Sequence, residues 1–569
     1  MGFGEDNILR RSIASSSDVA LNMPLDSQVL TYNASLQKWQ NTSLASNSGY
    51  DSAVAQGFNG TEEEWVASIN DTRPANYSRF RPYYHLTPRL HWMNDPQRPL
   101  YLNGLWHFYF LYNKDYPGGN GTEWCHVTST DLVNWKHEGI AIQKYQNGLG
   151  DIETGSAVVD VNNTAGFGAG AVIALMTQMS NGVQVTSLFY STDGGYSFTN
   201  YTGNPVMPNP GQPDFRDPKV FWHTPSNRWI LTLSEHDKTG FYTSSNLKNW
   251  TYVDAFTRSD IGIHECSDLF EIELDGNPNN KKWVFMTGAN GFNYGMTTGC
   301  AYWVGSFNGT TFTPDTNNFQ WMDTGPDFYA AVTCEDPFAT RPTQHRLTIG
   351  WMNNWSYANE TPMDEFQGNA QTFMRTLSLK TVDGAPTLVQ EPLQRVNQLR
   401  GVPVVIGAQQ IPETGMILPS FPGGAYCLDF IIEKSPQSTG SALTIRIKGS
   451  NDGTYGTNIS YNFTSQVVSI DRSDCSAVIA NQSMSSGARN TYEAVRTAQA
   501  PPRASRVRIT AYVDYGSVEL FINDGERMMT AALFPDPAAE KITVTPTGGT
   551  ILLHQFAYYQ MRPSFSILT

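Results

Sequence analysis

Apolar residues recur along this chain at two different spacings, and the changes between them divide it into three stretches. Residues 1–75 hold few large apolar side chains and are rich in Ser, Asn and Ala, too thin to bury a core from one copy. Within them, residues 26–41 (D-S-Q-V-L-T-Y-N-A-S-L-Q-K-W-Q-N) alternate apolar and polar side chains, turn, and then present Trp39, which predicts a small hairpin. Residues 57–69 (G-F-N-G-T-E-E-E-W-V-A-S-I) read as a glycine turn, a Thr61 N-cap with Glu64 three residues on, and a short helix carrying Trp65 and Val66.

Residues 76–400 are a run of short strands punctuated by turns. Three phrases there share one plan: V-T-S-T-D-L-V-N-W (127–135), F-Y-S-T-D-G-G-Y-S-F (189–198) and F-Y-T-S-S-N-L-K-N-W (241–250). Each ends a strand, turns through Ser/Thr and Asp/Asn, and opens the next strand on an aromatic. A recurrence of roughly 50 to 60 residues suits one four-stranded sheet per repeat, the plan of a propeller, with room for five or six blades. Over residues 401–569 the alternation becomes regular, as in A-L-T-I-R-I-K-G (442–449) and V-R-I-T-A-Y-V-D (507–514). S-V-E-L-F-I-N-D-G (517–525) ends on Asn523-Asp524-Gly525, a hairpin turn signal. This is the pattern of a β-sandwich. The expected fold class is all-β: a small N-terminal extension, a propeller over 76–400 and a sandwich over 401–569.

Composition narrows the ligand. Aromatics make up 12% of the chain and charged residues 16%, with 48 Gly and 32 Pro, which favours short strands and tight turns over long helices. A net charge of −15 argues against nucleic acid, whose phosphates need basic patches. Carbohydrate suits an aromatic, acidic chain, because sugars stack on ring faces and hydrogen-bond to carboxylates and amides. Six cysteines (Cys125, Cys266, Cys300, Cys334, Cys427, Cys475) include no C-x-x-C pair, so they form no recognisable zinc or disulfide framework and read as small buried hydrophobes. No metal or cofactor is implied. No apolar run reaches membrane-spanning length, so no membrane partner is expected. The opening residues lack the apolar core of a signal peptide, whereas Asn41, Asn120, Asn249 and Asn354 sit in N-x-S/T sequons.

Three acidic residues occupy unusual settings in three different repeats. Asp95 lies in W-M-N-D-P (92–96), Asp217 in D-F-R-D-P-K-V-F (214–221) and Glu265 in I-H-E-C-S-D-L-F (263–270). An Asp-Pro step alone more often marks a turn than a catalyst. A propeller, however, brings the equivalent ends of its blades to one axial pocket, so carboxylates some 50 to 120 positions apart in the chain can converge there. Such a group suits glycoside cleavage, in which one carboxylate attacks the anomeric carbon and a second protonates the leaving oxygen. The apolar run around Glu265 makes it the better acid, Asp95 beside Asn94 the better nucleophile, and Asp217 beside Arg216 an ionised partner for sugar hydroxyls.

W-M-N-D-P, R-D-P and E-C-S-D-L-F, in this order on a propeller followed by a sandwich, closely resemble glycoside hydrolase family 32, the invertases, inulinases, levanases and fructosyltransferases. F-L-Y-N (110–113), W-C-H-V-T-S (124–129), G-S-A-V-V-D (155–160), D-T-G-P-D-F-Y-A (323–330) and I-G-W-M-N-N-W (349–355) extend the resemblance over roughly residues 80 to 560. The resemblance implies a five-bladed propeller, with Asp95 as nucleophile, Glu265 as general acid/base and Asp217 as transition-state stabiliser. It also implies that Asn94, Trp124, Ser156 and Arg216 line a fructose pocket, and that the reaction retains configuration through a covalent fructosyl-enzyme. Four positions depart from the family pattern. Gln97-Arg98-Pro99 replaces the usual N-G after N-D-P, Leu111 replaces a Gln, His264 replaces a Trp and Ser267 replaces a Pro. D-P-Q-R-P resembles the branch acting on levan, so Gln97 and Arg98 are expected to bind substrate and help select a β-2,6 linkage. His264 either modulates proton transfer by Glu265 or fills space. The expected function is a fructan hydrolase of the levanase kind. A fructosyltransferase, a sucrose-cleaving β-fructofuranosidase and a catalytically silent adhesin are the alternatives. The two N-terminal phrases resemble linking modules of bacteriophage tail fibres, which implies a homo-oligomer, in particular a homotrimer, and an extracellular or virion-associated depolymerase.

Overall fold

The computed structural model describes residues 80–564, except 119–120, 290–291, 295, 297, 364, 421–423, 476–493 and 537, together with three strands nearer the N-terminus. Residues 1–72 form one compact unit and residues 73–567 another. In the first unit Gln28–Asn33 runs antiparallel to Lys38–Ser43, with Tyr32 opposite Trp39, and Val19–Ala20 adds in parallel. This is the hairpin that the alternation in residues 26–41 predicts. The helix expected over residues 57–69 lies outside the described residues.

In the second unit, residues 91–392 build five sheets, each around a four-strand antiparallel meander. Their first strands are His91–Pro96, Asp151–Asp160, Arg216–His223, His264–Glu273 and Tyr329–Glu335. We call the sheets blades 1 to 5 in that order. Phe366–Gln367, which follows the second strand of blade 5, returns to pair in parallel with His91–Pro96 and so ties the last blade to the first. The propeller therefore has five blades.

Blades stack face to face, so their middle strands are buried on both sides. Ala171–Ser180 (A-V-I-A-L-M-T-Q-M-S) is buried over its first eight residues, and Val172, Ala174 and Met176 share one fully buried layer with Tyr109, Trp124 and Ile142. That double burial is why the propeller sequence shows apolar runs where the sandwich shows alternation. The recurrent turn phrases have one physical cause. In blade 1 the Ser129 hydroxyl accepts the Leu132 N–H and the Asp131 carboxylate accepts the N–H groups of Val133 and Asn134. Ser191 with Asp193 and Ser244 with Asn246 hold equivalent turns in blades 2 and 3.

The sandwich pairs two sheets. One contains Tyr426–Glu433, Arg506–Val513, Ser517–Ile522 and Ile551–Gln560, the other Ala442–Gly449, Thr457–Asn462, Val467–Asp471 and Lys541–Thr547. Between them lies a core of aliphatic side chains that includes Leu428, Ile445, Ile459, Ile509, Leu520 and Val544. The predicted turn after Ser517–Ile522 is present: Asn523 and Asp524 both have positive φ, at 49° and 57°, as a tight hairpin requires. Propeller and sandwich meet through buried charges. Arg375 of blade 5 pairs with Asp323 at 3.1 Å and with Glu519 of the sandwich, and His85 bridges Asp514 at 2.7 Å and Glu519 at 2.8 Å.

Candidate active site

The first strand of every blade loses register near its start. The ladder breaks between Met93 and Pro96, opposite Ile152 to Gly155, and between Arg216 and Lys219, Glu265 and Asp268, and Tyr329 and Val332. A bulge bends its strand and re-aims the side chains beside it. Asp217, Cys266 and Ala330 adopt left-handed backbone at these breaks, with φ of 63°, 50° and 49°. Each costs on the order of 1 kcal/mol for a residue with a Cβ, and such strain clusters where function needs it.

The bulged strand starts of blades 1 to 4, with Trp355 and Asn359 of blade 5, line a pocket of about 730 Å³ at one end of the propeller axis that includes Asn94, Asp95, Arg216, Asp217 and Glu265. The carboxylates of blades 1, 3 and 4 thus converge as the propeller plan requires. Asp95 Oδ2 accepts the Thr154 hydroxyl at 2.6 Å, and its Oδ1 accepts the Asn94 amide at 3.2 Å. The Cys266 N–H donates to Asp217 Oδ2 at 2.9 Å, and its thiol lies 3.7 Å from both Asp95 and Asp217. Glu265 is held on both oxygens, by Arg216 Nη2 at 3.1 Å and by the Tyr329 hydroxyl. Arg216 is gripped in turn by Asp214, which His236 holds from the solvent side at 2.6 Å.

Burial dominates the electrostatics. It pushes Asp95 up to about 6, against the Thr154 hydrogen bond and with help from the Glu265 charge. Burial raises Asp217 further, to about 8, because the Arg216 guanidinium, 3.9 Å away, does not offset desolvation beside two other carboxylates. This corrects the expectation that Arg216 keeps Asp217 ionised: burial outweighs the guanidinium and raises the carboxyl's proton affinity. A fourth acid, Glu153 of blade 2, is raised to about 7, by burial and by Asp151.

Four of the expected pocket residues lie elsewhere. Gln97 is fully buried; its Oε1 accepts the Gly155 N–H at 2.7 Å and its Nε2 donates to the Asp95 carbonyl, so it staples blade 1 to blade 2. Arg98 lies just beyond the end of the His91–Pro96 strand, bonded to the Val220 carbonyl at 2.8 Å and to Glu335, and lines a different cavity. Trp124 is buried behind the pocket, where its indole N–H donates to the Glu153 carbonyl at 3.0 Å. Ser156 is buried between the Pro218 carbonyl and the Val220 N–H, both at 2.9 Å. The ring of His264 meets Thr239 at 2.9 Å and the Arg258 carbonyl at 3.3 Å, and burial lowers it to about 4. It is a buried, neutral residue whose ring hydrogen bonds go to Thr239 and the Arg258 carbonyl and not to the Glu265 carboxylate.

Other groups at the pocket were not singled out from sequence. Trp355, 43% exposed, stacks on Trp92 at 6.1 Å, and Trp92 meets Tyr116 at 5.4 Å, which gives the mouth an aromatic wall. Trp92, Tyr329 and Trp355 stand inside phrases that the sequence flagged, but nothing in the sequence marks Thr154 or Tyr116. Chemically, the pocket offers a carboxylate on one side, a carboxyl held by Arg216 and Tyr329 on another, and aromatic faces at the entrance. That set fits attack on a sugar's anomeric carbon with proton delivery to the departing oxygen.

Known proteins share this plan. Residues 85–392 match the model for the glycosyl hydrolases family 32 N-terminal domain, and residues 395–560 that for the glycosyl hydrolases family 32 C terminal. A levanbiose-producing levanase of Bacillus subtilis (strain 168) is 40% identical over 474 residues, which cover 83% of this chain and 89% of that protein. A levanbiose-producing levanase of Geobacillus stearothermophilus is 49% identical over 308 residues, 54% of this chain and 78% of the relative. Among solved structures, the exo-inulinase from Aspergillus awamori matches with a TM-score of 0.75 at 32% identity, over 86% of this chain and 99% of that one.

Proposed function

The chain belongs to glycosyl hydrolase family 32, and from that premise we propose that it is a retaining fructan hydrolase of the levanase kind, with Asp95 as nucleophile and Glu265 as general acid/base. The observation that carries this reading is the convergence of Asp95, Asp217 and Glu265 from three blades on one pocket, in a chain 40% identical to a levanbiose-producing levanase. Asp95 attacks the anomeric carbon of a fructosyl unit while Glu265 gives its proton to the leaving oxygen. The covalent fructosyl-enzyme is then cut by a water that Glu265 deprotonates, and two displacements restore the starting configuration. Asp217 stabilises the transition state through hydrogen bonds to ring hydroxyls that strengthen as the sugar distorts. Asn94 and Arg216 hold the nucleophile and the acid/base in place.

Chromatography of products from levan, inulin and sucrose tests the reading. Levan is expected to be cleaved fastest, with a difructose as the main early product, as the names of the two relatives suggest. Rapid cleavage of sucrose with levan untouched would overturn the substrate assignment. Residues 1–75, poor in core-forming side chains, are the proposed oligomerising module of an extracellular or virion-associated homotrimer. Light scattering on the full chain reads this directly, since a monomeric mass contradicts it.

A further inference from the structure

The innermost strands that open on the catalytic pocket also end in a second cavity. Asp95 is followed by Arg98, Asp217 by Phe221 and Trp222, Glu265 by Asp268 and Glu271, and Tyr329 by Glu335; the later residue of each set lines a cavity of about 710 Å³. Five residues of strand separate Asp217 from Trp222, about 15–17 Å, so this cavity lies toward the opposite end of the propeller axis. Its volume matches that of the catalytic pocket and falls within the range of small-ligand sites.

Its lining combines aromatic faces with fixed polar groups. Trp222 and Trp283 are only half-buried there, braced by Trp229 at 5.1 Å and Phe221 at 5.8 Å. Glu335 is 51% exposed at its side chain, yet both its oxygens are held from behind, Oε1 by Arg346 at 3.2 Å and Oε2 by Arg98. These two buried guanidiniums hold the carboxyl well below the usual range, so it faces the cavity as a permanently ionised, fixed acceptor. Arg98 and Arg346 stand against Asp268, Glu271 and Glu335, so the lining carries no surplus positive charge for an anion. Oriented acceptors between half-exposed indoles, without net cationic charge, suit a neutral polyhydroxylated ligand.

We propose that this cavity is a second, non-catalytic carbohydrate site that holds another segment of the fructan the pocket cuts. The inference rests on the fructan-hydrolase reading. A short oligosaccharide occupies one site at a time, whereas a long polymer reaches both and gains avidity. Calorimetric titration of the Asp95→Ala enzyme with a β-2,6-linked fructose tetramer is expected to give two sites per chain, falling to one in Asp95→Ala/Trp222→Ala. Hydroxyl-radical footprinting of Asp95→Ala with the same tetramer, which needs no change in the cavity, is expected to protect Trp222 and Trp283. In otherwise wild-type enzyme, Trp222→Ala is expected to lower kcat/KM on levan by roughly 3- to 10-fold and leave kcat/KM on a fructose trimer unchanged. One site per chain with Trp222 intact, or no protection at the two indoles, overturns the proposal while leaving the function in place. A wild-type enzyme that cleaves no fructan overturns the function, and this inference with it.

Discussion

At the scale of single residues, the pocket sets protonation by burial and then corrects it with one or two donors. Asp95 must be ionised to attack, and burial pushes its pKa up to about 6, so kcat/KM is expected to fall about tenfold per pH unit below that value. Thr154 supplies the shortest hydrogen bond to that carboxylate, at 2.6 Å. A hydrogen bond to a charged group contributes about 1.5–3 kcal/mol, so Thr154→Val should move the acid limb of the kcat/KM profile up by roughly one to two units. A limb that stays in place would show that another group governs it. Asp217 carries the opposite lesson. Its pKa is raised from 3.8 to about 8 in the fold, so the native state binds a proton that the unfolded chain releases. The stability tied to that proton is fully present below about pH 3.8 and is lost as pH rises through about 8. Asp217→Asn removes the ionised, buried group, so its melting temperature should exceed wild type by roughly 1–4 °C at pH 9 and by much less at pH 4, while activity falls by at least ~100-fold. Differential scanning calorimetry at the two pH values reads the sign directly.

At the scale of elements, bulged strand starts and side-chain-capped turns divide the labour between the two ends of each blade. The turns between third and fourth strands lie away from the pocket, because third strands run in the same direction as first strands. Asp131→Ala removes a carboxylate that accepts the N–H groups of Val133 and Asn134 at 3.0 and 2.8 Å. By analogy with a lost cap it should cost about 1–2 kcal/mol in urea unfolding and leave kcat/KM unchanged. A large loss of activity would mean that this turn reaches the pocket after all. The same turns explain what the sequence reveals of the fold. Ser129-Asp131, Ser191-Asp193 and Ser244-Asn246 repeat because one hydrogen-bond pattern repeats, so the propeller is legible. Blades 4 and 5 turn through Ser306-Phe307-Asn308-Gly309 and Thr381-Val382-Asp383-Gly384, with an apolar residue where the other three blades carry a second Ser or Thr, and the blade count stays at five or six until the sheets are traced. The three carboxylates are legible because acids are conspicuous in apolar strands. Gln97, Arg98, Trp124 and Ser156 are not, because facing is decided by bulges. One extra residue in a strand swaps which side chains reach the pocket, and no residue type announces it.

At the scale of the whole molecule, the sandwich carries none of the pocket residues, yet it is joined to the propeller by charges that neither could bury alone. Arg375 of blade 5 is fully buried, with Nε on Glu519 at 2.9 Å and Nη1 on Asp323 at 3.1 Å. Asp323 also accepts the Thr530 N–H of the sandwich at 2.8 Å. His85 belongs to the same cluster. Burial lowers its proton affinity, but Asp514 and Glu519 outweigh that and raise it to about 9, so it is charged at neutral pH. Its contribution is fully present below about pH 6.5 and is lost as pH rises through about 9. Arg472 of the sandwich repeats the device with Asp327, at 2.5 Å. Such pairs are poor sources of net stability compared with apolar packing, but removing one partner strands the other without water. Arg375→Ala leaves Glu519 and Asp323 buried without their cation and should cost about 3–5 kcal/mol. Because the cluster spans both domains, wild-type enzyme should melt in one calorimetric transition, and Arg375→Ala should lower it and separate it into two. Below that transition kcat/KM on levan should stay within about twofold of wild type, since Arg375 does not line the pocket. An Arg375→Ala protein that melts within one degree of wild type, in a single step, would mean that apolar contacts at the interface hold the two domains together without this cluster.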